Sequence, residues 1–167
     1  MSLSFSCSET RIRAFQIGDE SDLHAIFHSA VHSRTVPGYN AKQRAAWAPE
    51  DWDMQDWQQL MRRLQPCVLE LAGRPVAYAD LQPNGDIGHF FVHADHTGQG
   101  MGRRLMQHLL DEAAARGLKT LQADVSLTAQ PFFRNFGFVV LVQREVTRRG
   151  IRLANARMQK TWAELPV

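Results

Sequence analysis

Apolar and polar residues in the first third of the chain alternate in ways that predict one strand and several helices. Residues 11–15 alternate charged and apolar side chains, as a half-buried strand does, and residues 18–21 supply turn and helix-cap chemistry. Residues 39–64 are rich in Trp and Gln and predict one or two short helices around Pro49. Between these segments a helix is expected, since apolar residues recur at i, i+3, i+4, i+7 and i+8: Leu23, Ile26, Phe27, Ala30 and Val31.

The middle of the chain predicts three strands in an antiparallel meander. Residues 67–71 and 76–81 are separated by the turn Gly73-Arg74, and Asn84-Gly85 leads into a third strand at 86–92. Turns this short join antiparallel neighbours. The three segments are therefore expected to pair in chain order.

A helix and a further strand follow that third strand. Apolar residues share one face of a helix at 102–116, Gly117 occupies its C-terminal stop position, and 119–125 resumes as a strand. Strands joined through a helix run parallel in a right-handed crossover. The expected sheet is therefore mixed.

The last segment predicts a short helix and a final hairpin. Thr128 is expected to cap the helix, which stops at Gly137. Strands at 139–147 and 151–159 then turn at Arg149-Gly150.

Composition and charge narrow the class of protein. Residues 1–167 fit one domain, and 44% hydrophobic with 22% charged residues is ordinary for a globular protein. A formal charge of +2 with scattered arginines does not favour a nucleic-acid partner. Cys7 and Cys67 suggest neither a disulfide framework nor a metal site, and no apolar run approaches the roughly 18 residues of a membrane span. The sequence therefore predicts a cytoplasmic protein that does not bind membranes.

A glycine-rich loop between a strand and a helix is the strongest chemical signal. Gly98, Gly100 and Gly102 alternate there, so the backbone can approach a ligand closely, and the helix N-terminus adds partial positive charge. This arrangement favours a pyrophosphate, although a loop that only connects two elements can have the same glycines. The spacing argues against a dinucleotide fingerprint, since Arg103 or Leu105 stands where its third glycine belongs. It also argues against a P-loop, whose lysine and hydroxyl are missing.

Several segments around this loop form one recognisable pattern: 91–95 (FVHAD), 98–102 (GQGMG), Ala129 with Phe132-Phe133, and 136–138 (FGF). Together they resemble the GNAT superfamily of acyl-CoA-dependent N-acyltransferases. Segments 41–49 (AKQRAAWAP) and 154–160 (ANARMQK) resemble its bacterial YafP-like branch. The resemblance implies a single α/β (α+β) domain with a mixed, mostly antiparallel sheet of about seven strands and helices on both faces. In this family a bulged strand splays from its parallel neighbour, and the acyl-pantetheine arm lies in the gap. Here 86–92 and 119–125 would form that pair.

The resemblance also implies an activity and a set of binding residues. It implies transfer of an acyl group, expected to be acetyl, from acetyl-CoA to an amine of a small molecule or peptide, by a monomer or homodimer. The residues expected to bind coenzyme A are Phe91, Val92, His93, Thr97, Gly98, Gln99, Gly100, Met101, Gly102, Arg103, Phe132, Phe133 and Arg134. Those expected to contact the acceptor amine are His28, His32, Tyr39, Trp47 and Asp80.

Acylation of an amine by a thioester needs a donor to the carbonyl oxygen and a base. The backbone N–H of Val92, or of a neighbour at the bulge, is the expected oxyanion donor. His89 is the first choice for the base, because a group that titrates near neutrality suits the step, and Asp80 and Glu70 are in reserve. The competing interpretation is a strand histidine bonded to a backbone carbonyl.

Two departures from the family pattern affect the expected chemistry. Thr97 stands where Gln or Arg is usual, and Phe133 replaces the tyrosine that usually acts as the acid. Ser126, which replaces an asparagine, is expected to hold a water near the departing sulfur. The missing tyrosine also suits a non-catalytic acyl-CoA sensor, and an interaction domain with a vestigial loop is the third alternative.

Histidines recur in two places, which raises the question of a metal. They are His24, His28 and His32 on the first helix, and His89, His93 and His96 at the strand end. The first set borders an apolar stripe, and the second lacks a further ligand at matched spacing except Asp95. The sequence predicts no metal.

Overall fold

The computed structural model describes residues 9–162 of the chain. Its strands are β1 (Thr10–Ala14), β2 (Cys67–Leu71), β3 (Arg74–Ala79), β4 (Asp86–Ile87), β5 (Phe90–Val92), β6 (Thr120–Ser126), β7 (Val139–Arg148) and β8 (Ile151–Thr161). Its α-helices are α1 (Glu20–Arg34), α2 (Ala41–Trp47), α3 (Met54–Leu64), α4 (Met101–Ala115) and α5 (Gln130–Asn135). Cys7 lies outside the described residues.

The strands form two four-stranded sheets, and the chain passes from one sheet to the other between β4 and β5. Their orders are β1-β2-β3-β5 and β4-β6-β8-β7. The strand predicted at 86–92 is broken at Gly88-His89, so β4 pairs in parallel with β6, whereas β5 pairs antiparallel with β3. This confirms the splayed parallel pair. It corrects the simple meander, because only the second half of the predicted strand continues it, and it gives eight strands instead of about seven.

Two apolar clusters fill the opposite faces of the sheets. One contains buried residues of α4, such as Leu105 and Leu109, and Phe133 of α5. The other contains Phe27 of α1 and Trp57 of α3. Helices on both faces are therefore confirmed, and each amphipathic stripe found in the sequence is buried against a sheet.

Residues 39–64 contain two helices, as predicted, and each has a side-chain N-cap. Asn40 accepts the N–H of Gln43 in a capping box on α2, and Asp53 accepts the N–H of Gln55 at the start of α3. The predicted cap Thr128 is one residue too early, since the N-cap of α5 is Ala129, without a side-chain cap. Among the described residues, no helix is long and apolar enough to cross a membrane.

Candidate active site

A buried carboxylate holds the break between β4 and β5. Asp80, only 1% exposed, accepts the backbone N–H groups of Gly88 (3.2 Å) and His89 (2.5 Å), and Gln82 Nε2 donates to it at 2.7 Å. Burial raises the pKa of this carboxyl, against the three donors, which lower it. A Cβ on Gly88 would come within 3.1 Å of Asp80 Oδ2. Asp80 was predicted to contact the acceptor amine, but it lies beneath the bulge at Gly88-His89. The N–H groups of these two residues do not bond a neighbouring strand, and Asp80 supplies the acceptor that they need.

The pairing of β5 with β3 decides which amides point into the gap. Asp80 N–H donates to His89 O, and His93 N–H donates to Val76 O. In an antiparallel ladder, residues alternate between bonding the neighbouring strand and facing away from it. The backbone groups of Phe90 and Val92 therefore face away from β3, toward the gap that opens beside β6. The amide of Val92, which the sequence predicted to be the oxyanion donor, therefore points into that gap.

A cleft of about 440 Å³ occupies this gap and reaches the glycine loop. It is lined by most of the residues predicted to bind coenzyme A: Phe91, Val92, Thr97, Gly98, Gly100, Gly102, Arg103, Phe132 and Phe133. Its other lining residues are Ala30, Arg34, Thr35, Trp47, Phe90, Ser126, Thr128 and Ala129. The cleft is apolar between the strands and has two guanidinium groups, those of Arg34 and Arg103.

Four residues predicted to bind coenzyme A do not line the cleft. Met101 is 5% exposed and packs into the core below α4, and the side chains of Gln99 and Arg134 face elsewhere. Gln99 Nε2 donates to Asp95 O, and Arg134 donates to Gln130. His93 Nδ1 accepts the N–H of Asp95 in the 3₁₀ turn 94–96.

The glycine loop has the backbone conformation that its sequence required. Gly98 and Gly100 have φ of +73° and +84°, and a Cβ at either position would meet nothing within 4 Å. Glycine is therefore needed for its left-handed backbone and not for lack of space. Gly100 is the N-cap of α4, so the unpaired N–H groups of the first helical turn face the end of the cleft.

A second cavity, of about 630 Å³, lies on the other side of β5. Its lining comes from α1, residues 39–60, the break at Gly88-His89, β5, β6 and the β7–β8 hairpin. The lining residues include Phe27, Tyr39, Trp47, Asp51, Trp52, Asp53, Asp56, Gly88, His89, Asp124, Arg148, Arg149 and Asn155. Three residues line both cavities: Trp47, Phe91 and Ser126. The two cavities therefore meet at the splayed ends of β5 and β6.

His89 faces this second cavity from an aromatic cage. Its ring stacks on Phe27 with centroids 5.9 Å apart, and Nδ1 lies 2.9 Å from the Tyr78 hydroxyl. Burial lowers the pKa of His89 to about 4. The expectation that His89 titrates near neutrality is therefore corrected: the imidazole is neutral at pH 7, because burial removes the water that would solvate its positive charge.

Tyr39 lines the second cavity, and Ser126 lines both cavities. The Tyr39 hydroxyl donates to Ala154 O and accepts the N–H of Leu127 at 3.1 Å, so it ties the end of β6 to β8. Ser126 Oγ accepts the N–H of Ala129 at 3.3 Å and lies 3.3 Å from Thr128 Oγ1, with which it shares a hydrogen bond. Its hydroxyl retains capacity for a further hydrogen bond.

Phe133 is 4% exposed and packs against the rings of Phe90 and Phe138. It closes the apolar floor of the cleft and offers no proton. The position at which the family usually has its acid is therefore filled by a packing side chain.

His28 and His32, predicted to contact the acceptor, line neither cavity. His32 Nε2 lies 2.6 Å from Ala48 O, so His32 fastens α1 to the end of α2, and the His28 ring packs beside it with centroids 4.3 Å apart. Glu70, a reserve base, is bound at 2.6 Å by Arg13 Nε, away from the bulge. Within residues 9–162 no group of three or more His, Cys, Asp or Glu side chains could hold a metal ion.

The sequence did not reveal the lining residues of the last hairpin. Asn155 pairs with Ser126 across β6 and β8, and Arg148 and Arg149 reach the cavity from the turn. Alternation predicts which face of a strand these residues share, but not which strand they oppose. Only the register of β8 against β6 brings Asn155 beside Ser126.

Comparisons with known proteins agree with this architecture. Residues 35–161 match the acetyltransferase (GNAT) domain family. YafP, an uncharacterized N-acetyltransferase of Escherichia coli strain K12, is 30% identical over 149 residues, covering 89% of this chain and 94% of YafP. A GCN5-related N-acetyltransferase from Rhodopseudomonas palustris superposes with a TM-score of 0.88 at 29% identity, over 95% of this chain and 99% of that one.

YncA from Salmonella typhimurium, whose structure was solved with its cofactor acetyl-CoA, shares the fold. Its TM-score is 0.66 at 24% identity, and the match covers 95% of this chain and 96% of YncA. The splayed strands, the glycine loop and the family match lead to one assignment. The chain belongs to the GNAT acetyltransferase family, in its YafP-like branch.

Proposed function

We propose that this protein transfers an acetyl group from acetyl-CoA to the amine of a small molecule or peptide. The observation that carries the proposal is the junction of the two cavities at Trp47, Phe91 and Ser126. A cofactor in the cleft and an acceptor in the second cavity would meet there, beside the free amide of Val92. Holding two reactants together in this way is a large part of what such catalysis requires.

Binding of acetyl-CoA would use the loop and the apolar gap. The pyrophosphate would lie at Gly98 and Gly100, where the N-terminus of α4 offers N–H groups, with Arg103 nearby. Backbone groups of Phe90 and Val92 would pair with the pantetheine arm as a further strand does. The bound group supplies a thioester, whose carbonyl carbon is the electrophile.

The protein would assist the transfer at three points. The acceptor amine, after its ammonium form has lost one proton to water, forms a bond from its nitrogen to the acetyl carbon. The carbon–sulfur bond breaks to release a thiolate, and a second proton leaves the nitrogen. The Val92 N–H would donate to the carbonyl oxygen, a contact whose loss in other enzymes costs about 3 kcal/mol of activation free energy. Ser126 would orient a water that hydrogen-bonds to the leaving sulfur.

His89 is proposed to take this second proton as the carbon–nitrogen bond forms, because a ring whose pKa is about 4 is too weak a base to deprotonate a free ammonium. This role requires the tautomer in which Nδ1–H donates to the Tyr78 hydroxyl, so that Nε2 is free to accept. With the opposite tautomer Nε2 carries the proton, and His89 would be a donor instead. Measurement of ¹⁵N chemical shifts in labelled protein distinguishes the two, and a protonated Nε2 in the complex with acetyl-CoA would refute the role.

The experiment that tests the proposed function is a two-stage assay. Acetyl-CoA at about 100 times its dissociation constant should stabilise the fold by about 2.7 kcal/mol, visible as a shift in Tm. Release of free thiol across a panel of amines then separates an enzyme from an acyl-CoA sensor. The sensor is the second candidate, and Phe133 in place of the usual acid favours it. Binding without thiol release would select the sensor, and absence of binding would refute both.

A further inference from the structure

The cleft beside the glycine loop carries positive charge that no carboxylate offsets. Arg34 and Arg103 line it, and its lining residues include no Asp or Glu. Neither guanidinium forms an ion pair with a carboxylate of residues 9–162, whereas Arg13 and Arg62 are both paired. Two unpaired cations in one cleft attract an anionic ligand.

The glycine loop itself supplies only one of these cations. Residues 97–102 contain no charged side chain. The side chains of Thr97 and Gln99 already donate to backbone carbonyls of the preceding turn. The loop therefore offers backbone N–H groups, the partial charge of the α4 N-terminus, and Arg103 just beyond it. The pyrophosphate of coenzyme A carries a negative charge on each of its phosphates, so one charge has no cationic partner on the side of the loop.

Contacts of α1 place Arg34 away from the reacting end of the cleft. The Phe27 ring stacks on His89 at the break, with centroids 5.9 Å apart. Further along α1, Ser29 Oγ accepts the N–H of Ala94 at 2.8 Å, in the turn that precedes the loop. The helix therefore runs from the break toward the loop. Arg34 follows Phe27 by about two helical turns, roughly 10 Å along the axis, and so lies nearer the phosphates than the thioester.

Arg34 and Arg103 enter the cleft from opposite sides. Helix α4 packs in one apolar cluster and α1 in the other, on opposite faces of the sheets. The chain is fixed on both sides of Arg34, because Ser29 bonds Ala94 after β5 and the Tyr39 hydroxyl accepts the N–H of Leu127 after β6. Arg34 is therefore held over the open end of the cleft, facing the loop across it.

We propose that Arg34 binds the pyrophosphate of acetyl-CoA from the side opposite the glycine loop, and so makes the protein select donors that contain a pyrophosphate. This inference rests on the proposed binding of acetyl-CoA. A guanidinium can give two parallel N–H donors to one phosphate, which a backbone amide cannot. Because it is remote from the thioester, Arg34 determines affinity for the donor and leaves the rate of transfer at saturation unchanged.

Three ligands test the contact by calorimetry on the full chain. They are acetyl-CoA, its 3′-dephospho form, and S-acetylpantetheine, which has no phosphate. We expect Arg34→Gln to weaken binding of the first two by roughly tenfold or more and binding of S-acetylpantetheine by less than about twofold. An equal loss for all three would assign Arg34 to the pantetheine arm or to the fold. A loss for acetyl-CoA alone would assign it to the 3′-phosphate, and either result would overturn the inference.

Inorganic pyrophosphate separates a phosphate contact from stacking on the adenine, since it has neither adenine nor arm. It should compete with labelled CoA in the wild type, and Arg34→Gln should weaken that competition by roughly tenfold. Arg34→Lys keeps the charge and loses the paired donors, so its loss should be smaller than that of Arg34→Gln. Unchanged competition in Arg34→Gln would overturn the inference.

Arg63→Gln is the matched control. Arg63 is exposed in the last turn of α3, as Arg34 is in the last turn of α1, and it does not line the cleft. This variant should bind every ligand as the wild type does, and both variants should keep the Tm of the unliganded protein. Equal losses in the two variants would show an effect of net charge alone and refute the contact. If the wild type binds no CoA, the proposed function itself has failed. If it binds CoA and Arg34→Gln binds equally well, only this inference has failed.

Discussion

Acidification is expected to destabilise this fold through His89. An unfolded histidine has a pKa near 6.5, and burial lowers that of His89 to about 4. Above pH 6.5 the ring is neutral in both states. As the pH falls from 6.5 toward 4, the unfolded chain takes up a proton that the folded chain does not, so the free energy of unfolding decreases, and the loss is complete below pH 4.

The size of the effect follows from that difference. A gap of about 2.5 pKa units at about 1.36 kcal/mol each gives at most about 3.4 kcal/mol, a large share of the roughly 5–15 kcal/mol typical of a domain. Burial also lowers the pKa of His24 and His28, which adds in the same direction. The raised pKa of Asp80 acts in the opposite direction, because that carboxyl gains a proton more readily when folded.

A comparison of variants isolates the contribution of His89 from these neighbours. Urea unfolding of the wild type and of His89→Gln is measured at intervals between pH 7.5 and pH 4.5. His108→Gln is the matched control, since that ring is 40% exposed on α4. We expect the wild type and the control to lose stability together on acidification, and His89→Gln to lose less by about 2 kcal/mol at pH 4.5. Equal slopes for all three proteins, or a His89 pKa near 6.5 by NMR titration, would refute the reasoning.

Three further predictions concern the loop and the junction. Gly100→Asp should weaken CoA binding by roughly tenfold or more, measured by calorimetry, because it places a carboxylate against the pyrophosphate. Gly73→Asp, whose φ of +78° and open surroundings match those of Gly100, should not, and equal effects would make the loop a connector. Tyr39→Phe should lower stability by about 2 kcal/mol in urea unfolding, since both hydrogen bonds of its buried hydroxyl are lost, and an unchanged midpoint would contradict this. Phe133→Tyr should raise kcat with CoA affinity intact, and a lower kcat would show that position 133 serves packing alone.

The sequence predicted the elements well because their patterns are local. The stripe from Leu23 to Val31 and the helix before Gly117 appear as expected, since each depends on neighbours within a few residues. The glycine loop was also predictable, because φ above zero at Gly98 and Gly100 requires that residue type. Resemblance to the family supplied the splayed pair, which no local pattern contains.

The residues of the second cavity were harder to predict because they depend on long-range packing. His28 and His32 have the spacing of a functional pair, yet His32 bonds Ala48 O at the end of α2 and His28 packs beside it. Asn155 lacked any signal, since its position beside Ser126 depends on the register of β8 against β6. A residue that enters a cavity through strand register is invisible to periodicity, which reports only the face of a strand.

The misassigned Asp80 shows how a structural residue can determine the chemistry indirectly. A carboxylate in a strand near the expected acceptor suggested a base, but its two oxygens accept the amides of Gly88 and His89. Those amides have no partner on a neighbouring strand because the chain stops pairing with β6 after Ile87 and starts pairing with β3 at Phe90. The same change of partner turns the groups of Phe90 and Val92 into the gap and brings the His89 ring under Phe27. A buried carboxyl that accepts displaced backbone donors therefore fixes both the direction of the Val92 amide and the buried position of the His89 ring.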